Sequence, residues 1–324
     1  MSKIIENPKT YTGDELTQVF FRPILVNGDA KELGIRILYN LPVPTTIGLW
    51  SGKQDILVPY AKGWSGQNSS TKYSKTLDLK KVKAEMSYSA SDYFSMVYER
   101  ITGSADVDMT DLSGTELEQA ETELFKNSIS ESIRATMWVG SSSRSSGFNT
   151  FDGIMLRTCS DTGTGENSIP KVTMGDMSDD GAALELLQSM YENASAYLRA
   201  MKGEGQLAFF VTSDVAQNYE ESLYAGDEDS AREARINGIA ELTYRGIPVI
   251  DMQVDDYLAT ISDLPSTYAL LTDRRNLMLA VNTRDLPGSQ VAMWYNPDEL
   301  ENRQRATFLA AADYMLPELC VISF

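Results

Sequence analysis

One long amphipathic helix, predicted over Ser113–Val139, most constrains what this chain can fold into. Ser113 and Glu116 have the spacing of a capping box, and further acids in the first turns favour a helix start there. The apolar residues follow a helical period at Leu117, Ala120, Leu124, Ile133 and Met137, with Phe125 and Ile129 widening the stripe. About 24 helical residues span roughly 36 Å, which is long for a helix within one domain. The fold must therefore supply an equally long surface for this helix to cover.

The segment 45–85 predicts a long two-stranded excursion with a basic face. It is rich in Gly, Ser, Thr and aromatic residues, and its β-prone ends flank a polar middle. It holds seven lysines against three acids, a net +4 in a chain whose net charge is −18. The stretch from 101 to 135, around the predicted helix, has a net −6. Since a lone hairpin is marginally stable, we expect this one to lie on another surface.

The remaining segments indicate an arm at the N-terminus and a mixed α+β region. Prolines and an Asn-Gly turn dominate residues 1–44, where "TQVFF" and "GIRILYNL" are the plausible short strands. A second helix is predicted from about Asp179 to Lys202, with Gly203 as its stop. "QLAFFVTS" is typical of a buried strand and "DVAQNYEESL" of a helix that follows it. "NGIAELTYRGIPVID" predicts two strands with Pro248 at a sheet edge, and the C-terminal segment is again strand-like.

The stretch "ALLTDRRNLMLAV", from Ala269 to Val281, contains two apolar runs around a polar centre. Arg274 and Arg275 next to Asp273 could hold an anion, or they could form the solvated tip of a hairpin. Asp and Asn are turn formers, so the sequence favours a hairpin of two paired strands. We expect its arginines to be exposed or to face an acidic neighbouring subunit.

Composition excludes several classes of function. The net charge of −18 opposes the counterion displacement on which tight, sequence-independent nucleic-acid binding depends. The chain has no histidine, which removes the commonest general base and metal ligand. Its two cysteines, Cys159 and Cys320, are expected to be apolar fillers. No apolar run approaches the ~18 residues of a membrane span, and the first residues lack signal-peptide features, so we expect a soluble chain.

No motif indicates an active site, a cofactor or a metal. Gly163-Thr-Gly165 lacks the third glycine of a dinucleotide fingerprint. Asp106–Asp111 begins like a calcium loop but has aspartate where that loop requires glycine. Ser69 and Lys72 match S-x-x-K without the partner motifs of that enzyme class. A hydrolase based on two carboxylates stays an alternative of another class.

The order of these pieces resembles the major capsid protein of tailed bacteriophages, the Hong Kong 97-type fold that encapsulin shells share. The local phrases "FNTFDGI", "LAFFVTSDVAQNYEESL", "YRGIPVID" and "LLTDRRNLMLAV" are also similar to that family. The resemblance covers nearly the whole chain. It implies an N-terminal arm (1–44), an extended loop (45–85), a peripheral domain with a spine helix (86–148), an axial domain (149–288) and C-terminal strands that return to the peripheral domain (289–324).

The resemblance also implies a function and partners. Such a chain forms pentamers and hexamers of an icosahedral head shell that encloses double-stranded DNA, in the host cytoplasm during assembly and then in the virion. Its partners would be portal, scaffolding protein and decoration or head-completion proteins. Because the sequence begins directly with the arm, we expect any scaffold to be a separate chain. An encapsulin-type compartment shell is the same-fold alternative.

Charge suggests which residues would meet between subunits. We expect the basic extended loop to lie over the acidic stretch around a neighbour's spine helix, where electrostatics would set register. The candidate subunit-interface residues are Lys53, Lys62, Lys72, Lys75, Lys80, Lys81, Arg274, Arg275, Glu116, Glu118 and Glu121.

Overall fold

Two six-stranded sheets, a long helix and a separate two-stranded hairpin form the framework of the molecule. The computed structural model describes residues 9–12, 33–40, 45–51, 62, 71–89, 116–163, 168–225, 242–282, 290–296, 298–299 and 301–324. No helix within these ranges combines the length and the apolar character that crossing a bilayer requires.

Sheet 1 is built around a 14-residue strand near the C-terminus. Its strands are β1 (Lys9–Thr12), β2 (Arg36–Tyr39), β5 (Lys80–Ser89), β11 (Leu277–Asn282), β12 (Gln290–Asn296) and β13 (Glu301–Tyr314). The order is β1-β12-β13-β11-β2, and β5 pairs with β13 over the full register from Glu301↔Ser89 to Ala310↔Lys80. All pairings are antiparallel except that of β2 with β11. Residues distant in the chain are thus joined through β13.

Sheet 2 carries shorter strands and most of the short helices. Its order is β6 (Lys171–Val172), β14 (Cys320–Ser323), β10 (Ala269–Asp273), β7 (Leu207–Val211), β9 (Ile247–Asp251) and β8 (Thr243–Tyr244). The other helices of the framework are α2 (Ile154–Ser160), α3 (Ala182–Asn193), α4 (Ala196–Ala200), α5 (Ser213–Ala225) and α6 (Asp255–Leu258). Every residue of β7 is buried, which confirms the prediction for "QLAFFVTS", and α5 follows it as predicted.

The long helix α1 extends over Glu116–Val139 and confirms the strongest sequence prediction. Its buried stripe runs along the spacing of four residues at Phe125, Ile129, Ile133 and Met137. Leu124, assigned to the apolar stripe from the sequence, is instead 50% exposed. The buried face is centred on Phe125 and Ile129, the two residues that the sequence pattern had used only to widen it. These side chains share one apolar cluster with Phe308 of sheet 1.

The predicted two-stranded excursion is present as strands β3 (Thr45–Ser51) and β4 (Thr71–Leu77), which pair from Thr45↔Leu77 to Ser51↔Thr71. We call these two strands the hairpin. Its base lies on sheet 1, as expected of a ribbon too small to be stable alone. Buried Leu77 and Leu79 contact Met278, Ala280, Leu309 and Ala311 there.

The prediction of one continuous helix from Asp179 to Lys202 is wrong. Helix α3 ends at Asn193, Ala194 is extended with ψ 142°, and α4 begins after Ser195. The Ser195 hydroxyl accepts a hydrogen bond from the backbone N–H of Leu198 at 3.0 Å and caps the new helix. A serine in the middle of an apolar period thus starts a second helix.

The prediction that Ala269–Val281 forms a hairpin is also wrong. The first apolar run is β10, which pairs with β7 and β14 in sheet 2. The second run is β11, which pairs with β13 and β2 in sheet 1. The polar centre forms a 3₁₀ turn, Arg274–Asn276, that carries the chain from one sheet to the other.

Strand β14 joins sheet 2 between β6 and β10, whereas β12 and β13 belong to sheet 1. The placement of Pro248 differs from the sequence expectation. Pro248 lies on β9, which is flanked by β7 and by the two-residue edge strand β8. Pairing with β7 begins only at Val249. The proline therefore sits where no ladder bond to β7 is required.

Candidate assembly interface

A buried carboxylate fixes the base of the hairpin to the body of the chain. Asp313 lies near the end of β13 with its side chain 1% exposed, and Lys75 of β4 places its Nζ 2.7 Å from Asp313 Oδ1. The same Nζ donates to the backbone oxygen of Tyr314 at 2.8 Å and lies 3.6 Å from the centre of the Tyr314 ring. The lysine ammonium thus has an ion pair, a hydrogen bond and a cation–π contact.

A second cation approaches the same carboxylate from helix α2. Arg157 Nη1 lies 3.3 Å from Asp313 Oδ2, and the backbone N–H of Tyr314 donates to Asp313 Oδ1 at 2.8 Å. Arg157 also lies 3.8 Å from Asp152, whose carboxylate accepts from the N–H and hydroxyl of Ser142. Burial opposes ionisation of Asp152, but these hydrogen bonds and the Arg157 charge lower its pKa overall.

Tyr314 continues the network toward the loop after α2. Its hydroxyl donates to the carboxylate of Asp161. Burial first, and then this acidic partner, raise the pKa of Tyr314 above its ordinary value. Each oxygen of Asp313 already has a partner, so the cluster has the properties of a structural joint and not of a reactive site.

The other predicted loop lysines have more exposed surroundings. Lys80 pairs with Asp78 at 2.6 Å and Lys83 with Glu85 at 2.7 Å, and all four side chains are at least 41% exposed. The hydrogen bond from Lys83, ahead of that from Arg305, lowers the pKa of Glu85. These local pairs contribute little free energy because water screens them.

The structure describes the rest of the predicted loop and helix charges unevenly. Lys62 and Lys81 are exposed. For four residues only the backbone is described: Lys72 on β4, and Glu116, Glu118 and Glu121 on the first turns of α1. Lys53 lies outside the described residues. Contacts of any of these with a second subunit stay a prediction.

The two arginines of the crossover turn have different surroundings. Arg275 donates to Asp273 through Nη2 at 2.6 Å and to Glu204 at 2.7 Å. The hydrogen bonds that Arg275 donates to Asp273, and then to Glu204, raise the pKa of Arg275. Arg274 instead lies against Gly34, where a Cβ would come within 3.0 Å of its Cδ. Both predicted interface arginines are therefore held by contacts within the chain.

Asn276 holds the crossover in place through the backbone of the next segment. It is 4% exposed, its Oδ1 accepts from the N–H of Leu316 at 2.8 Å, and its Nδ2 donates to the oxygen of Leu316 at 3.0 Å. Such a pair of bonds satisfies both buried backbone groups of one residue. The sequence suggested a turn former here, and this bridging role was not predicted.

A groove of about 450 Å³ separates α1 from β5 and was not predicted from the sequence. Its floor includes Phe125, Ile129 and Phe308, and Lys83 and Glu85 lie at its rim. The hydroxyls of Ser132 and Thr136 on the wall donate to helix oxygens four residues back. Small side chains on this face leave room beside the β5 strand.

Other candidate chemistry has little support. Asp106–Asp111 lies outside the described residues, and within the described ranges no cluster of three or more Cys, Asp or Glu could hold a metal. Cys320 is 0% exposed and Cys159 is partly buried. Burial raises the pKa of each thiol to about 12. Neither thiol ionises readily, in agreement with the predicted filler role.

Comparison with solved structures identifies similar chains. One belongs to the satellite phage P4 procapsid including size determination (Sid) protein: TM-score 0.58, 12% identity, covering 95% of this chain and 98% of that one. Another belongs to the capsid of the empty GTA particle: TM-score 0.52, 14% identity, covering 91% of this chain and 89% of that one. The capsid of the native GTA particle gives TM-score 0.52 at 13% identity, covering 90% of this chain and 88% of that one. Neither a protein-family model nor a curated protein sequence matches the chain.

Proposed function

Because this chain has the Hong Kong 97-type capsid fold, we propose that it is a structural major capsid protein. It assembles into pentamers and hexamers of an icosahedral shell that encloses double-stranded DNA. The observation that carries this proposal is the extent of the fold similarity, which spans nearly the whole of both chains in the P4 procapsid comparison. A shared fold alone would permit other functions, so the electrostatics of the chain and the assembly experiment below have to support it.

The charge of the chain is compatible with a shell around DNA. A net charge of −18 disfavours a strongly basic inner wall that would grip the genome. We propose no catalytic role, since the chain has no histidine and its buried Asp313 is fully committed to partners. The P4 procapsid includes a size determination protein, and a comparable scaffold-like partner, together with portal and decoration proteins, is part of this proposal. The site of action is the virion.

The interface proposal places the extended loop (45–85) of one subunit over the N-terminal part of α1 in the next. Lys81 supports this, because it is exposed on β5 and forms no ion pair among the described residues. Glu116, Glu118 and Glu121 supply the opposite charge on the first turns of α1. Electrostatics of this kind set register and association rate more than affinity.

Size-exclusion chromatography and negative-stain microscopy of the purified chain test the function. Rings of five or six subunits, or closed shells, are the expected result. A stable monomer at micromolar concentration, with or without hydrolytic activity, would defeat the proposal. DNA inside particles recovered from cells would distinguish a phage head from a shell that holds protein cargo.

Lys81→Glu tests the loop–helix contact within that experiment. We expect slower assembly at low salt than for the wild-type chain, with the difference shrinking as salt rises. Arg199→Glu, which reverses an exposed cation on α4 with the same change of net charge, is the matched control. Equal assembly rates for both variants at low salt would contradict this contact.

A further inference from the structure

Two surfaces of opposite charge border helix α3, one on each flank of its buried stripe, and the cations of the first come from neighbouring elements. The stripe consists of Ala183, Leu186, Leu187 and Met190, which belong to the apolar cluster of sheet 2. At about 100° per residue, Glu185 and Ser189 lie on one flank and Leu184 and Tyr191 on the other. The two flanks therefore face in different lateral directions from the sheet.

The first flank is a basic–aromatic side formed by Leu184, Tyr191, Lys202 and Arg245. Lys202 Nζ lies 5.9 Å and Arg245 Cζ 5.5 Å from the centre of the Tyr191 ring. Leu184 is 40% exposed, one of three large apolar side chains that stand out in this way among the described residues. Exposed apolar groups with cations over an aromatic ring are typical of contact surfaces.

The second flank borders a groove of about 400 Å³ that is lined by acids. We call it the acidic groove, defined by Asp176, Asp179, Asp180 and Glu185. Asp176 is engaged by the N–H and hydroxyl of Ser178, at 3.0 and 2.7 Å. Among the described residues, Asp180 and Glu185 form no ion pair and are exposed.

We propose that the basic–aromatic side of one copy docks into the acidic groove of the next copy, head to tail around a ring. This rests on the proposed function and names the residues of one contact within it. A ring needs two different, complementary patches on separate sides of each subunit, because the same contact must repeat in one direction. The two flanks of α3 meet that requirement in both charge and position.

Charge selects a second copy as the occupant. The basic–aromatic side calls for a partner with carboxylates, and the acidic groove on the same helix supplies them in every copy. Docking would also cover Leu184 and Tyr191, and removing their apolar surface from water is favourable in free energy. A nucleic acid could meet the same cations, but the acidic groove a helix-width away would repel it.

Charge reversal tests the contact with the full chain. One variant carries Lys202→Glu and Arg245→Glu, a second carries Asp180→Lys and Glu185→Lys, and a third carries all four changes. A control with Glu221→Lys and Asp256→Lys reverses two exposed acids elsewhere, so that its net charge matches that of the second variant. Circular dichroism and thermal unfolding of the unassembled chains check that each variant folds.

Each double reversal should raise the protein concentration needed for ring formation by about tenfold or more, because like charges then face each other. The fourfold reversal should restore assembly, and the control should assemble like wild type. Mixing the two folded double variants should restore rings with an even number of subunits, since reversed patches then alternate.

The inference is overturned if both double variants assemble like wild type, or if neither the fourfold variant nor the mixture recovers. It is also overturned if the control is as defective as the second variant, since net charge then explains the loss. If the charge reversal at Lys202 and Arg245 does not fold, Lys202→Gln with Arg245→Gln tests the same contact, and we expect a smaller rise in the concentration needed for ring formation. A wild-type chain that forms no rings at all would instead refute the proposed function.

Discussion

Replacing Lys75 by methionine isolates the contribution of the ion pair at the base of the hairpin. Methionine keeps most of the apolar stem and removes the ammonium, which lies 2.7 Å from Asp313 and 2.8 Å from the oxygen of Tyr314. Because Asp313 is 1% exposed, its carboxylate cannot recover these contacts from water without local opening.

The magnitude follows from what remains after the change. A buried charge left without any partner costs about 3–5 kcal/mol, whereas an exposed pair contributes about 0.2–1 kcal/mol. Asp313 keeps Arg157 at 3.3 Å and the Tyr314 N–H at 2.8 Å, and Lys75 itself is 27% exposed. We therefore expect Lys75→Met to destabilise the hairpin base by about 2 kcal/mol, between those limits.

Hydrogen exchange by mass spectrometry on the unassembled chain measures this locally. A loss of about 2 kcal/mol corresponds to roughly 30-fold faster exchange in the paired hairpin strands. Sheet 2 should be unaffected. Lys80→Met is the matched control, because its partner Asp78 is 69% exposed, and it should change exchange by less than about fivefold.

Two results would refute this reasoning. Equal exchange of the hairpin in Lys75→Met and Lys80→Met would mean that the buried pair does not fix the hairpin. A uniform acceleration across both sheets would mean that Lys75 supports global stability and not the hairpin. A double-mutant cycle with Asp313→Asn should give a coupling of at least about 1 kcal/mol.

Three further predictions concern stability in urea unfolding. Gly153→Ala should destabilise the fold by several kcal/mol, because the added Cβ would meet three backbone atoms within 2.8 Å. Gly203→Ala is the control and should be neutral or stabilising, since its Cβ would meet nothing within 4 Å. Equal effects of the two changes would contradict the close approach at Gly153. Asn276→Ala should lower the free energy of unfolding by about 2–3 kcal/mol, since it leaves the buried N–H and oxygen of Leu316 without their hydrogen bonds to Asn276. A decrease below about 0.5 kcal/mol would count against that bridge. Burial raises the pKa of Cys320 from 9.0 to about 12. The buried neutral thiol therefore makes its full contribution to the free energy of unfolding below pH 9, and this contribution is lost as the pH rises toward 12. Cys320→Ala should therefore flatten the alkaline loss of stability by up to about 1.4 kcal/mol per pH unit, and parallel curves for both proteins would contradict this.

Elements with a strong local pattern were predictable from the sequence. Helix α1 has capping signals and a sustained period, and β7 is a short run of apolar residues ahead of a helix start. Local patterns fixed the type of these elements without needing their partners. The face of α1 was less certain, because Leu124 and Phe125 are adjacent and only packing against sheet 1 decides which is buried.

Partners of strands and charges were not predictable in the same way. Two apolar runs around Asp273–Asn276 suit a hairpin or a crossover equally well, since both need a tight polar turn. The crossover forms because β10 and β11 pair with strands of different sheets, and those partner strands come from distant segments of the chain. Likewise Asp313 follows three alanines on a strand, with no local sign that a lysine of the hairpin would reach it.

The lysines that the sequence grouped into one basic face therefore divide into two sets. Lys75 stabilises the fold, because it forms an ion pair with Asp313, a carboxylate from outside the loop. Lys80 and Lys83 are offset by Asp78 and Glu85 within the loop. The exposed lysines described without such a partner are Lys62 and Lys81, so an electrostatic contact with a neighbour has to depend on them more than on Lys75. Loss of assembly without loss of stability is thus the signature expected of Lys81, and loss of hairpin stability is the signature expected of Lys75.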